Sequence, residues 1–252
     1  MPDEPRLEEQ FLSQGAEKIV SDQLNEVEQI DINVRTDLFK IVQGQADAVS
    51  FSGQGLVMQE GIRVQEIKLQ TDSISINPLS ALFGQIELNE PVNAVARVVL
   101  TEADINRALS SDLVRSKPQN FELKVDGKIV SFESQEIQVF LPHKGEMEFK
   151  GKVLLNEPGN IRTLGFTARV RPRTHSQPII LESFNCTQGG GISLEVIVAL
   201  MQKVKEWVNL PYYEWEDTVF CIKYLEVEKG SLTLLVEAKL KQIPSSDTLL
   251  SP

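Results

Sequence analysis

The residue pair Asp126-Gly127 lies between two segments in which apolar and polar residues alternate. Asp-Gly favours the two-residue turn of a tight β-hairpin, because both turn positions need a positive φ angle. With this pair as the loop, Leu123 falls opposite Val130. Phe121 falls opposite Phe132 in the same register, so both apolar pairs lie on one face of the hairpin. The sequence therefore predicts an antiparallel sheet in the middle of the chain.

Two segments have the three- and four-residue apolar spacing of amphipathic helices, one over residues 6–27 and one that begins after Ser193. Over residues 61–76 the apolar positions change phase twice, which indicates bulges or bends, and bulges curve a sheet. The predicted fold class is α+β, with a long, curved antiparallel β-sheet wrapped around these two amphipathic helices. Because no linker is visible, we predict one domain over residues 1–243 and a polar C-terminal tail over 244–252. The helical stripes consist of Leu7, Phe11, Leu12, Ala16, Ile19, Val20 and Leu24, and of Ile197, Leu200, Met201, Val204 and Val208.

Composition restricts the class of protein and its partners. The chain has 252 residues, of which 41% are hydrophobic and 24% are charged, as in ordinary globular proteins. Its formal net charge of −11 argues against nucleic acid as a partner, because a nucleic-acid site needs a basic face. The N-terminus lacks the regions of a signal peptide, and no stretch approaches the ~20 apolar residues of a membrane span. We therefore predict a cytoplasmic protein without a transmembrane helix, with a peripheral membrane contact left open.

Few residues suit catalysis or metal binding. Cys186 and Cys221 are far apart in sequence, so no Cys/His set has zinc spacing, and both are predicted to be buried as small apolar residues. His143 and His175 are predicted to be solvated loop residues. The nucleophile elbow, the P-loop and the dinucleotide-binding glycine motif are all missing from the sequence. We predict no catalytic residue, no metal ligand and no cofactor; an enzyme would need carboxylates that pair only in space.

Arg169, Arg171 and Arg173 occupy alternate positions of a strand-like segment, so we expect them on one face. Such a row in an acidic protein is a candidate for binding phosphate headgroups. The alternative is a solvated strand edge, where the charges and Pro172 discourage pairing with another sheet.

Both tryptophans, Trp207 and Trp215, lie close in sequence to Tyr212 and Tyr213. Amphipathic rings favour membrane interfaces and the mouths of ligand sites, which makes the two tryptophans candidate lipid-binding residues. The alternative is that these rings fill an ordinary corner between a helix and a strand.

Short apolar turns punctuate the strands at residues 36–45 and 77–85. Surface connections are usually polar, so large apolar residues there are candidates for a membrane-facing edge. The alternative is that the turns fold back and cap the ends of the sheet. The candidate lipid-binding residues in these turns are Phe39, Leu79, Leu82 and Phe83.

Three segments carry a resemblance to a known family. They are Thr-Asp-Leu-Phe-Lys-Ile-Val-Gln-Gly-Gln at 36–45, Asn-Pro-Leu-Ser-Ala-Leu-Phe at 77–83 and Leu-Thr-Glu-Ala-Asp-Ile-Asn-Arg-Ala-Leu at 100–109. Together with the closing segment 225–234, they resemble the LmeA-like phospholipid-binding family, most closely its cyanobacterial type. The resemblance implies phospholipid binding without catalysis, in a curved sheet that wraps apolar helices as in tubular lipid-binding proteins. It supplies no catalytic residues.

We therefore predict a non-catalytic protein that binds or handles phospholipid, or another acyl lipid, in an apolar groove under the sheet. The rival hypothesis is a protein–protein adaptor with a filled core and an acidic surface. An elongated apolar tunnel of roughly several hundred Å³ would favour the lipid hypothesis, whereas a filled core would favour the adaptor. The sequence predicts no oligomeric state.

Overall fold

The computed structural model describes residues 7–22, 24–58, 61–77, 87–115, 120–174, 177–215 and 218–241. The chain forms two compact units. Unit 1 consists of Met1–Val99, Tyr212–Lys223 and Leu234–Pro252, and unit 2 consists of Leu100–Pro211 and Tyr224–Thr233. The assignment of residues 1–243 to one domain stays a prediction.

Most of the described elements are strands. In chain order they are α1 (Leu7–Asp22), β1 (Leu24–Glu26), β2 (Gln29–Arg35), α2 (Leu38–Val42), β3 (Gln45–Ala46), β4 (Ala48–Met58), β5 (Arg63–Thr71), β6 (Ile74–Ser75), β7 (Val92–Thr101), α3 (Glu102–Leu109), α4 (Asp112–Arg115), β8 (Asn120–Val125), β9 (Lys128–His143), β10 (Glu146–Glu157), β11 (Asn160–Arg171), β12 (Ile180–Gln188), α5 (Leu194–Val208), β13 (Tyr213–Trp215), β14 (Thr218–Glu228) and β15 (Ser231–Leu240).

The strands form an eight-stranded sheet, a five-stranded sheet and a two-stranded sheet. The eight-stranded sheet has the order β1-β4-β5-β7-β15-β14-β13, with β2 also paired to β4. The five-stranded sheet of unit 2 has the order β12-β11-β10-β9-β8, in which neighbours in sequence are neighbours in space. Its pairs are antiparallel. An α+β fold dominated by antiparallel sheet, as predicted, is therefore confirmed.

The predicted hairpin is confirmed in detail. Leu123 pairs with Val130 and Phe121 with Phe132 across β8 and β9. The turn residues have φ angles of +49° and +77° at Asp126 and Gly127, as a type I′ turn needs. The two phenylalanine rings stack with their centroids 4.9 Å apart, which places both on the core face.

The core of unit 2 lies between its sheet and α5. Leu155 and Leu164 of the sheet are fully buried, and Val196 of α5 packs into the same cluster. Helix α5 begins as predicted, because the Ser193 hydroxyl accepts a hydrogen bond from the backbone N–H of Val196 at 3.3 Å. Cys186 packs against this cluster but is only partly buried, and Cys221 is partly buried as well, so the predicted burial of the two cysteines is met only in part.

Only the second of the two phase changes predicted within residues 61–76 coincides with an irregularity of the strand, and β5 has no bulge at the first. Strand β5 keeps one register along β4, and Gly55 of β4 has a φ of +59° inside that pairing. The second change coincides with the break between β5 and β6 at residues 72–73. Register shifts occur elsewhere, between β9 and β10 and between β11 and β12.

Helix α1 is shorter than predicted, since it ends at Asp22 and β1 begins at Leu24. It lies against β2, and several residues of its apolar stripe are exposed, among them Leu7, Phe11 and Ile19. Helix α5, in contrast, packs on the unit 2 sheet. A sheet wrapped around both amphipathic helices is therefore not confirmed.

Candidate functional site

The most specific motif of the sequence, Thr-Glu-Ala-Asp-Ile-Asn at 101–106, forms the first turns of α3. The Thr101 hydroxyl accepts a hydrogen bond from the backbone N–H of Asp104 at 3.1 Å. The Asp104 carboxylate accepts one from the backbone N–H of Thr101 at 2.9 Å, which completes the predicted capping box. Asp104 is buried, and its Oδ2 also accepts a hydrogen bond from the Thr101 hydroxyl at 2.6 Å.

The remaining polar residues of this motif bind the edge of β9. The Glu102 carboxylate accepts a hydrogen bond from the backbone N–H of Leu141 at 2.7 Å. The Asn106 side chain accepts one from the N–H of Val139 at 2.8 Å and donates one to its carbonyl at 2.7 Å. Asn106 therefore pairs with the strand as another strand would. Each polar residue of the motif has a structural role.

Helix α1 uses the same arrangement on β2. Glu9, Ser13 and Glu17 accept hydrogen bonds, each at 3.1 Å, from backbone N–H groups of that strand and of the residue that follows it. The donors are Thr36, Val34 and Ile32 in that order, so α1 runs antiparallel to β2. Among the described strands, β2 pairs with β4 alone, so α1 covers its other edge.

The acceptors of the helix can face the N–H groups of the strand because four helical residues and two strand residues span nearly the same length. Four helical residues advance about 6 Å, and two strand residues advance about 6.6 Å. Polar acceptors at every fourth helical position therefore meet the N–H groups that point to one side of a strand. This role was not predicted from the sequence. The spacing of Glu9, Ser13 and Glu17 is a signal that would have suggested it.

This contact determines which side of α1 faces outward. Because Glu9, Ser13 and Glu17 face the strand, the exposed side carries Leu7, Phe11, Leu12 and Ile19. The predicted site residue Phe39 lies on α2 of the same unit and is 83% exposed. Its neighbours Leu38 and Val42 are exposed as well.

The arginine row is engaged with acidic and carbonyl groups. Arg169 Nε lies 2.9 Å from Glu146, and Arg171 Nε lies 2.5 Å from Glu182. These two arginines belong to β11, whereas Arg173 follows its end. The ion pairs agree with the alternative of a solvated strand surface, and the headgroup role of the three arginines stays a prediction.

Arg173 and Trp207 meet at the C-terminal end of α5. Arg173 donates hydrogen bonds to the Val208 carbonyl at 3.1 Å and to the Asn209 side-chain oxygen at 2.9 Å. A cation is favourable there because the helix dipole is negative at its C-terminus. The Trp207 ring packs edge-on against Phe121, with centroids 5.8 Å apart, and Lys203 Nζ lies 5.9 Å from the same ring. Trp207 remains 42% exposed.

The predicted aromatic cluster is divided between the units. Trp207 belongs to unit 2, whereas Tyr213 belongs to unit 1, where it stacks on Phe220. The backbone of Trp215 forms part of β13, but its side chain lies outside the described residues. Leu79, Leu82, Phe83 and His175 also lie outside them, so their predicted roles stay predictions.

Helix α5 is apolar on two sides. Val196, Ala199 and Leu200 face the sheet. By helical geometry, the opposite side carries Leu194, Ile197, Val198 and Met201. Leu194 is 70% exposed and Val198 is 49% exposed, which leaves part of this second apolar side open.

The glycine segment before α5 serves a structural purpose. Arg162 donates hydrogen bonds to the carbonyls of Gly189 and Gly191, the second at 2.7 Å, and pairs with Glu157 at 3.3 Å. Gly189 and Gly190 have φ angles of +84° and +85°, which other residues rarely adopt. This network accounts for the triple glycine without an anion.

Three exposed lysines are held by carboxylates. A hydrogen bond to Asp47 raises the pKa of Lys40 above its ordinary value. Hydrogen bonds to Glu228 and Glu237 raise the pKa values of Lys144 and Lys223 in the same way. These ammonium groups are engaged by acids of their own surface.

A small cavity over β2, β4 and β5 has a volume of about 50 Å³ and a lining that includes Gln54, Glu66 and Lys68. It is too small and too polar for an acyl chain. Within the described ranges, no group of three or more His, Cys, Asp and Glu residues is arranged to hold a metal ion. His143 is exposed at the end of β9.

A family model described as LmeA-like phospholipid-binding matches residues 4–237 of the 252-residue chain. The chain belongs to this family. No curated protein and no solved structure matches the chain. Among the helices that the structure describes, none is long and apolar enough to cross a bilayer.

The LmeA-like match covers nearly all of both units. The motif at 101–106, which carries much of the resemblance, is occupied by hydrogen bonds within unit 2. It therefore serves the structure of unit 2. The residues that contact a ligand have to be sought on the exposed apolar surfaces.

Proposed function

We propose that this LmeA-like protein binds phospholipid without catalysing a reaction on it, with the acyl part along the open apolar side of α5. The proposal is carried by the exposure of Leu194 and Val198 on a helix whose opposite side is already filled by the sheet. Membership in a phospholipid-binding family supports it. The predicted groove under a curved, tubular sheet is part of this proposal, with α5 as one of its walls.

The headgroup is proposed to lie at the C-terminal end of α5. Arg173 binds the Val208 carbonyl at this end, and Lys203, which also pairs with Glu206 at 3.4 Å, lies beside the half-exposed ring of Trp207. Lys203 and Trp207 lie on the side of α5 that faces the sheet, so the headgroup is proposed to turn around the end of the helix from the open side that carries Val198. A tryptophan with an apolar body and a polar N–H suits the boundary between acyl chain and headgroup. Arg169 and Arg171 would contribute only by exchanging their ion pairs with Glu146 and Glu182 for a phosphate. The predicted cytoplasmic location and peripheral membrane contact belong to the same proposal.

Native mass spectrometry of the purified chain, followed by organic extraction, tests this function. We expect bound phospholipid in the wild type and its loss in Leu194→Gln/Val198→Gln, since each buried methylene contributes about 0.8 kcal/mol to binding. Glutamine keeps the helix propensity high. Ile129→Ser/Ile161→Ser, which also alters two exposed apolar residues of unit 2, is the matched control. A wild-type protein that carries no lipid, and takes none up from phospholipid vesicles, would refute the proposal.

A protein–protein adaptor is the second candidate. It is favoured by the tightly packed sheet–helix interface of unit 2, where Leu155 and Leu164 have no exposed surface. An adaptor would be lipid-free in the same mass spectra, so the one experiment separates the two functions.

A further inference from the structure

Helix α1 is attached by its polar side. Its contacts with β2 run through Glu9, Ser13 and Glu17, three acceptors spaced four residues apart. A helix on a globular domain usually turns its apolar side to the protein. Here the hydrogen bonds to the strand edge turn part of the apolar stripe outward, with Phe11 74% exposed, whereas Ala16 and Val20 are partly buried.

Helix α2 extends this apolar surface at the N-terminal end of α1. Glu9 accepts a hydrogen bond from the N–H of Thr36, and the next residue, Asp37, is the N-cap of α2. Both helices therefore meet at the same end of β2. On α2, Phe39 and Val42 are 83% and 81% exposed. We call this surface the α1–α2 surface; it consists of Leu7, Phe11, Leu12, Ile19, Leu38, Phe39 and Val42. Seven exposed large apolar residues on two helices that meet at one end of β2 suit an interaction surface.

The charge of the protein determines which kind of partner the α1–α2 surface can bind. Lys40, the cation of α2, is paired with Asp37 at 3.8 Å and with Asp47, so an anionic lipid would have to displace these carboxylates. Lys18 is the exposed cation on the outward side of α1, and by itself it does not offset the acidic balance of the chain. Glu9 and Glu17 add negative charge to the side of α1 that faces the strand. With a net charge of −11, the protein is repelled by an anionic bilayer and by a second copy of itself.

We propose that the α1–α2 surface docks onto a zwitterionic or uncharged phospholipid surface. This inference rests on the proposed function and specifies the membrane that it serves. The apolar side chains insert among the lipid headgroups, as those of an interfacial amphipathic helix do, and the acidic residues remain in water. No basic patch is needed for this mode of binding, because apolar burial alone supplies the attraction.

Co-sedimentation of the full chain with vesicles tests the docking surface. We expect binding to phosphatidylcholine vesicles, and weaker binding at low salt when phosphatidylglycerol is mixed in, because the anionic lipid repels the acidic protein. Phe11→Gln/Phe39→Gln should lower the affinity for phosphatidylcholine vesicles about tenfold or more. Both residues are exposed, so the melting temperature should be unchanged. Ile129→Ser/Ile161→Ser, on unit 2, should bind as the wild type does.

Three results would overturn the proposal. They are unchanged vesicle binding by Phe11→Gln/Phe39→Gln, binding that requires phosphatidylglycerol, and a wild-type dimer that this double substitution dissociates. Lipid content by native mass spectrometry separates this proposal from the proposed function. A wild-type chain that carries lipid but ignores phosphatidylcholine vesicles contradicts the docking surface alone. A lipid-free chain that binds those vesicles through Phe11 and Phe39 contradicts the lipid-binding site alone.

Discussion

Gly189 has a φ of +84°, and a Cβ atom built there would lie 2.0 Å from the backbone oxygen of Thr163. Its neighbour Gly191 has no atom within 4 Å of its would-be Cβ atom. At the scale of single residues, the two glycines look alike in sequence but carry different constraints. The carbonyls of both are held by Arg162, so the difference lies in the backbone angle and the space around Cβ.

We therefore expect Gly189→Ala to destabilise the protein by about 1–3 kcal/mol, because the new methyl group has to displace backbone and the φ angle is strained. Gly191→Ala is the matched control and should lie within about 0.5 kcal/mol of the wild type. Chemical unfolding followed by circular dichroism measures both. Equal stability of the two variants would contradict the assigned geometry of the loop.

At the scale of elements, two helices complete the edges of strands with side chains. Helix α3 covers β9 through Glu102 and Asn106, and α1 covers β2 through acceptors at every fourth residue. Exposed strand edges invite pairing with other chains, and a covering helix prevents this. The acceptor side chains of the helix take the place of a neighbouring strand, because they are spaced to meet successive N–H groups on one side of the strand.

The Glu17 contact with β2 can be tested by substitution. Glu17→Leu removes the acceptor for the N–H of Ile32, whereas Glu17→Gln keeps an acceptor oxygen. We expect hydrogen exchange at Ile32 to be faster in Glu17→Leu by about five- to tenfold, as for the loss of one hydrogen bond of about 1 kcal/mol. Exchange in Glu17→Gln should stay near the wild-type rate. Identical exchange in the leucine variant would show that α1 does not protect this edge.

At the scale of the whole molecule, charge keeps the protein dispersed although apolar residues are exposed on α1 and α2. The net charge of −11 at pH 7 falls to zero near the isoelectric point of about 4.8. Repulsion between copies then vanishes, and exposed apolar surface promotes association.

We expect turbidity of the wild-type protein to peak near pH 4.8 and to fall on either side. Phe11→Gln/Phe39→Gln should lower this peak without shifting its pH, since the substitutions remove apolar surface but leave the charge unchanged. Light scattering during a pH titration measures both effects. An equal peak in the variant would indicate that other surfaces drive the association.

The sequence by itself determined the elements with strong local signals. The hairpin at Asp126-Gly127, the capping box at Thr101 and the helix start at Ser193 follow from turn chemistry, capping and alternation, which act over a few residues. The family could also be recognised from the segments at 36–45, 77–83, 100–109 and 225–234, and the family model confirms it. These features need no knowledge of distant neighbours.

Only the tertiary structure decided which side of each helix is covered. Periodicity shows that Phe11 and Leu12 share a stripe, but an apolar stripe serves a core and a lipid surface equally well. The N–H groups of β2 turn Glu9, Ser13 and Glu17 inward and leave Phe11 exposed. Likewise, the alternation of Arg169 and Arg171 was visible in sequence, but the carboxylates of Glu146 and Glu182 come from other strands. Contacts between residues far apart in the chain depend on strand register and edge pairing, which no local pattern encodes.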